Sequence, residues 1–239
     1  MTLYIISTPI GNLEDITLRG LRLLRDLEYI ACEDTRTTRS LLQKLEIQGK
    51  KNLFSYHEHN EEKASGKILS LLASGTEVGL VSDAGMPGIS DPGYRVVAKA
   101  VEAGFKIEVV PGASAVQTAL LASGLPVAGY TFKGFPPRKE GKRRKFFEEE
   151  KESPHTLIFF ESKFRIIKAV NSAFAALGDR RAVVCLELTK KFETIVRAPL
   201  SKMGEVLAKT DLRGEITALI EGSVRQKSKE ADEGSDEDF

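Results

Sequence analysis

Tryptophan is absent from this 239-residue chain, and cysteine and histidine are scarce, at two and three. Cys32 and Cys185 sit inside the apolar runs "YIAC" and "AVVCLEL". That marks them as reduced core thiols and excludes a disulfide framework. His57, His59 and His155 share no metal-ligand spacing with them, so no metal is expected. Apolar runs such as "TLIFF" fall far short of the ~20 residues that cross a bilayer, so no membrane partner is expected. "MTLYIIS" has no basic stretch and leads straight into a strand pattern, unlike a signal peptide; a cytoplasmic location is the expectation. Three common fingerprints are also missing: GxGxxG, GxxxxGK followed by Ser or Thr, and GxSxG. A dinucleotide fold of the usual kind, a P-loop and a nucleophile elbow are thereby unsupported.

What is present is an ordinary mixture, 41% hydrophobic and 29% charged with a net charge of +1. Such a chain builds one large domain or two smaller ones. The near-neutral total conceals an asymmetry. Residues 223–239 hold three basic and six acidic residues and almost nothing apolar. The rest of the chain is the more basic part, and this acidic tail is expected to be disordered.

Periodicity organises the rest. "TLYIIS", "EYIACE", "NLFSY", "EVGLVS" and "KIEVV" read as strands, each followed by a helical pattern. The first of these helices, "ITLRGLRLLRDL", spaces Ile16, Leu18, Leu21, Leu24 and Leu27 for one face. Five alternations of this kind predict an open, mainly parallel α/β sheet. The pattern pauses at the Gly-, Pro- and charge-rich segment that begins at Gly129, and a boundary is placed at about Gly134. A second alternating series then runs from "TLIFF" to "EITALIEG". The organisation expected is residues 1–133, residues 134–222 and the tail.

In an open α/β sheet, ligands lie at the carboxyl ends of the strands. Five loops therefore matter: "STPIGN", "CEDTR", "YHEHNE", "SDAGMPGISDPG" and "PGAS". In the fourth, Gly85 and Gly88 permit positive φ and close approach of a ligand to the backbone. Pro87 and Pro92 stiffen it. Asp83 stands just past the strand end, and Asp91 is expected to cap the next helix. In the fifth, Gly112 lets a helix begin close to a ligand and Ser114 offers a hydroxyl.

These motifs, with "IACEDTRTTRSLL" and "FFES", together resemble the tetrapyrrole methylase superfamily over about Leu3 to Gly222, and within it the branch that modifies small-subunit ribosomal RNA. The resemblance implies two α/β domains, S-adenosylmethionine in the cleft between them, and a homodimer. It implies methyl transfer to the ribose 2′-hydroxyl of a cytidine in the decoding region of small-subunit (16S) rRNA, free or within the assembled subunit, and no DNA partner. Carried over residue by residue, it puts Pro9 and Gly11 beside the sulfonium, and Asp83, Gly85, Met86, Ser114 and Ala115 around the cofactor. In the second domain it puts Phe160, Leu188 and Ala218 against the adenosine. "ESKFR" departs from the family's Ser-Pro-His-Arg, keeping only Arg165, and the acidic tail replaces a basic module that many relatives carry.

A neutral ribose hydroxyl is a poor nucleophile, so a base or an alkoxide-stabilising cation is sought near the loops. His57 or Asp34 is the expected proton acceptor, and Arg36 or Lys190 the expected partner of phosphate or alkoxide. The plainer reading of Asp34 is a helix cap paired with Arg36. "PPRKEGKRRKF" gathers Arg138, Lys139, Lys142, Arg143, Arg144 and Lys145, as RNA binding requires; a solvated helix face neutralised by "EEEKE" is the alternative. Two other functions stay open: a small-molecule methyltransferase acting on a tetrapyrrole, with a roomy apolar cleft, and a non-catalytic ribosome-binding scaffold.

Overall fold

The computed structural model describes residues 1–223; the acidic tail from Val224 onward lies outside them. The first lobe comprises β1 (Thr2–Ile6), α1 (Leu18–Asp26), β2 (Tyr29–Cys32), α2 (Thr35–Lys44), β3 (Asn52–Ser55), α3 (Glu61–Ala73), β4 (Val78–Val81), α4 (Tyr94–Glu102), β5 (Lys106–Val110) and α5 (Ala115–Ser123). Its five strands are all parallel, in the order β3-β2-β4-β1-β5. Both faces are covered. One apolar cluster holds Leu3, Ile5, Ala31 and Leu80 with α3 and α4, and the other holds Ile6, Ile30, Cys32 and Val81 with α1 and Leu42 of α2. Continuous burial on both faces explains why these strands read as unbroken apolar runs.

The second lobe comprises β6 (Tyr130–Phe132), α6 (Glu140–Glu148), β7 (Thr156–Ser162), α7 (Ile166–Leu177), β8 (Arg181–Leu186), β9 (Thr194–Pro199), α8 (Leu200–Ala208) and β10 (Glu215–Ile220). Its sheet is mixed, in the order β6-β7-β10-β8-β9, with only β6 and β7 parallel. The segment read as a pause in the alternation contains a strand and a helix. Because β6 pairs with β7, the change of sheet falls between α5 and β6, upstream of Gly134.

The period-2 alternation of the central strands builds the join between the lobes. On β7, β8 and β10, Leu157, Phe159, Ala182, Val184, Leu186, Ala218 and Ile220 face α6, α7 and α8. The alternate residues Ile158, Val183, Cys185 and Leu219 pack with Ile10 of the first loop and Val116, Ala119 and Leu120 of α5. Helix α5 therefore follows a first-lobe strand but packs against the second sheet. The Arg197 guanidinium, from β9, donates to the Ser123 carbonyl at 3.2 Å and to the Ala122 carbonyl, satisfying the carbonyl end of α5.

Candidate active site

β1 connects to β2 through α1 on one face of the sheet and β4 connects to β5 through α4 on the other, so the loops of these two neighbouring strands leave on opposite faces. That is the switch point at which open α/β sheets bind ligands. The two loops are tied at their roots. Thr8 N–H donates to Gly85 O at 2.9 Å and Gly85 N–H to Thr8 O at 3.1 Å, while the buried Thr8 hydroxyl donates to Ser82 O at 3.2 Å. Gly85 and Gly88 have φ of 80° and 85°. The β5 loop closes from the other side. A Cβ on Gly112 would lie 2.9 Å from Ser7 Cβ, so only glycine lets the two loops meet there.

Above these corners lies a cavity of about 680 Å³ between the lobes, within the range of small-molecule sites. Its first-lobe wall is Ile10, the β4 loop from Ala84 to Asp91 and the β5 loop with the start of α5; its second-lobe wall includes Phe132, Phe160, Leu188 and Thr217. Ser114, Ala115, Val116 and Gln117 all line it. Ser114 is the N-cap of α5 but makes no side-chain cap bond, so the first-turn N–H groups and a hydroxyl are on offer to an acceptor. Four carboxylates, Asp91, Glu161, Glu187 and Glu215, face a single lysine, Lys190, around the cavity. Glu161 is buried and pairs with Arg165 at 2.5 Å, and Lys190 pairs with Glu187 at 2.9 Å. Among the described residues, four that are not glycine have positive φ; Ser90 and Glu187 line the cavity, and Thr189 adjoins it. Such strain persists where surrounding structure enforces it, commonly at functional sites.

Of the expected residues, Gly85, Met86, Ser114, Ala115, Phe160, Leu188 and Lys190 line this cavity. Others are placed elsewhere. Pro9 is buried in the first loop. Gly11 fits against the second lobe, where an added Cβ would lie 2.8 Å from Thr189 Oγ1 and 2.9 Å from Leu188 O, so its bare backbone serves the join. Ala218 points into the helix-facing core, because strand alternation turns it away from Thr217, which lines the cavity. Asp83 is exposed, and its carboxylate accepts the Asp34 backbone N–H at 3.2 Å, tying the β2 and β4 loops.

Asp83 shares a separate shallow groove of about 510 Å³ with Asp34, Arg36, Thr37 and Lys44. Asp34 caps α2, accepting from the Arg36 N–H at 2.8 Å, and binds the Arg36 guanidinium at 2.5 Å. Those hydrogen bonds hold its carboxyl well below the usual carboxylate range. The helix cap and the pair with Arg36 are what its carboxylate makes here. His57 follows the edge strand β3 and lines neither the cavity nor the groove. Its backbone N–H donates to Asn60, and its buried Nδ1 has no partner.

Asp91 is the residue the sequence reading misjudged. Helix α4 is capped by Gly93 without a side-chain bond, so Asp91 does not cap it. It lines the cavity instead. Burial pushes its carboxyl up to about 7; Glu33, Glu215 and Asp83 add to the rise, and the Ser82 hydroxyl opposes it. The only signal in the sequence was a second aspartate in a loop already crowded with turn residues.

The basic segment divides. Arg143 donates to Ser172 of α7 at 3.0 Å and to the Arg138 carbonyl, and Arg144 pairs with Glu148 at 2.6 Å. Arg138, Lys139, Lys142 and Lys145 stand exposed. Cys185 is buried, its thiol pushed up to about 12 by desolvation. No cluster of His, Cys, Asp and Glu among the described residues is suited to a metal, and no helix among them is long and apolar enough to cross a membrane.

Residues 2–204 match the model of the family described as Tetrapyrrole (Corrin/Porphyrin) Methylases. The chain belongs to this family. Within it, two bacterial proteins named Ribosomal RNA small subunit methyltransferase I are similar to the chain. The protein of Halalkalibacterium halodurans is 44% identical over 93% of this chain and 76% of its own length. That of Micromonospora olivasterospora is 46% identical over 93% of this chain and 71% of its own length. The methylase fold is shared with solved structures of low identity. A diphthine synthase superposes with a TM-score of 0.73 at 14% identity, covering 92% of this chain and 90% of its own. A cobalt precorrin-4 methyltransferase gives 0.65 at 20%, covering 92% and 94%.

Proposed function

We propose that this chain transfers a methyl group from S-adenosylmethionine to small-subunit rRNA, at the ribose 2′-hydroxyl of a cytidine in the decoding region. The observation that carries the reading is the acidic inter-lobe cavity at the sheet's switch point, taken with relatives named for small-subunit rRNA methylation at 44% and 46% identity. The cavity suits the donor in three ways. Its carboxylates complement a cation, the open start of α5 offers N–H groups to a carboxylate or nucleoside acceptor, and Phe132 and Phe160, whose ring centroids are 4.9 Å apart, offer flat apolar faces to an adenine.

S-adenosylmethionine supplies an electrophilic methyl whose leaving group needs no further activation. What remains for the protein is alignment and removal of one proton. As the new C–O bond forms, the hydroxyl proton must leave, and Asp91 is the acceptor in this reading. A carboxylate with its pKa near the working pH combines availability with driving force. That assignment replaces His57 and Asp34. Lys190, already beside Glu187, offsets negative charge on the acceptor oxygen, and Arg36 and Lys44 in the groove offer contacts to substrate phosphates.

The test is incubation with labelled S-adenosylmethionine and either free rRNA or assembled small subunits, followed by digestion to nucleosides. Label in 2′-O-methylcytidine is the expected result. Label on a base, or label accepted only by a porphyrinoid, overturns the reading.

A further inference from the structure

Two of the most exposed aromatic side chains in the described chain are Phe164, 83% exposed, and Phe192, 59% exposed. They come from different loops, yet each follows a lysine: "KF" at Lys163-Phe164 and again at Lys191-Phe192. In both, the lysine ammonium lies over the ring, at 5.2 Å and 5.6 Å from its centroid, and the Arg213 guanidinium lies 5.4 Å from the Phe192 ring. The three contributing loops follow β7, follow β8 and precede β10. Their neighbours Ser162, Lys190 and Gly214 line the inter-lobe cavity. Two solvent-facing rings and three cations therefore stand on the second-lobe rim of the candidate active site. Arg213 is paired with Asp211, while among the described residues Lys163 and Lys191 have no carboxylate at ion-pair distance.

We infer that this rim, built on Phe164, Phe192, Lys163, Lys191 and Arg213, is a docking surface for single-stranded RNA, which stacks bases on the two rings and sets its phosphates beside the cations. The inference rests on the proposed rRNA substrate. Exposed rings interleaved with cations are the chemistry of single-strand binding, because every base has a π-face and every nucleotide a phosphate. A protein partner is the weaker fit, since protein interfaces are depleted in lysine. Continuity argues the same way: a strand feeding its ribose into the cavity must cross this rim. The surface is distinct from the basic segment of α6, which has cations but keeps Phe146 and Phe147 largely inside.

The experiment measures binding of a short fluorescent single-stranded oligoribonucleotide, and of a duplex of the same sequence, to the full chain and to Phe164→Ser, Phe192→Ser and the double variant. Each single change is expected to weaken single-strand binding by about five-fold or more, with duplex binding, S-adenosylmethionine affinity and the thermal midpoint unchanged. Lys163→Gln with Lys191→Gln is expected to reduce the salt slope of single-strand binding by about 0.7 per cation removed. If the wild type methylates rRNA while the ring variants bind the oligonucleotide as well as it does, the rim assignment is wrong and the proposed function stands. If the ring variants instead lose self-association or binding of a ribosomal protein, the rim is a protein surface and the inference falls. Failure of the wild type to bind or methylate any RNA overturns both.

Discussion

Asp91 and Asp34 both lie in loops that lead from a strand to the next helix, and their surroundings drive their carboxyls apart. Hydrogen bonds from Arg36 keep Asp34 charged, whereas burial among Glu33, Asp83 and Glu215 lifts Asp91 to about 7. Asp91→Asn is therefore expected to lower kcat for methyl transfer by about 10²–10⁴-fold. In the wild type the rate should climb with pH to a plateau above about 7, and in the variant that limb should disappear. A pH–rate profile reads both. The same shift has a consequence for stability. A carboxyl whose folded pKa lies above its ordinary 3.8 binds more protons in the native state than in the unfolded one between those two values. Stability is then lost as pH rises from about 4 to about 7. Asp91→Asn should melt higher than the wild type at pH above 7 and show little difference below 4. Equal melting temperatures across that range contradict the burial of a titrating carboxyl.

Two elements bear on the site from outside it. The β5 loop reaches the β1 loop only because residue 112 has no side chain, and Gly112→Ala brings a Cβ within 2.9 Å of Ser7 Cβ. The overpacking should cost about 1–3 kcal/mol and displace the cavity wall at Ser114. Denaturant unfolding and calorimetry with S-adenosylmethionine should register the loss of stability and of affinity together. Helix α5 is held at its other end by Arg197. Arg197→Met is expected to cost about 1 kcal/mol of stability, as for a surface cation at a helix C-terminus, and to weaken donor binding, because the same helix offers its N-terminus to the cavity. Normal affinity with lowered stability would show that the two ends of α5 are independent.

At the scale of the molecule, Ile10, α5 and the inner face of the second sheet share one apolar cluster, so unfolding either lobe exposes the other's side of the join, although each lobe also holds clusters of its own. Calorimetry of the full chain should show one transition, and S-adenosylmethionine at about 100 times its Kd should stabilise it by about 2.7 kcal/mol. Two separated transitions would mean that the lobes are independent. The sequence alone determined much of this architecture. The strands β1 to β5 and β7 to β10 are legible because periodicity and turn residues are local, and the parallel sheet of the first lobe follows from the alternation of its strands with helices. The loops around Gly85 and Ser114 were legible for the same reason. What only the tertiary structure decided is which side chains face one another across the join. Short β6 carried too little pattern to separate it from a charged loop. Ala218, carried over from the family resemblance, lies in the helix-facing core while Thr217 lines the cavity, and a strand's apolar run does not reveal which face meets α5. Asp91 read as a helix cap because its distinguishing property is a raised pKa, which comes from burial and from carboxylates far apart in the chain.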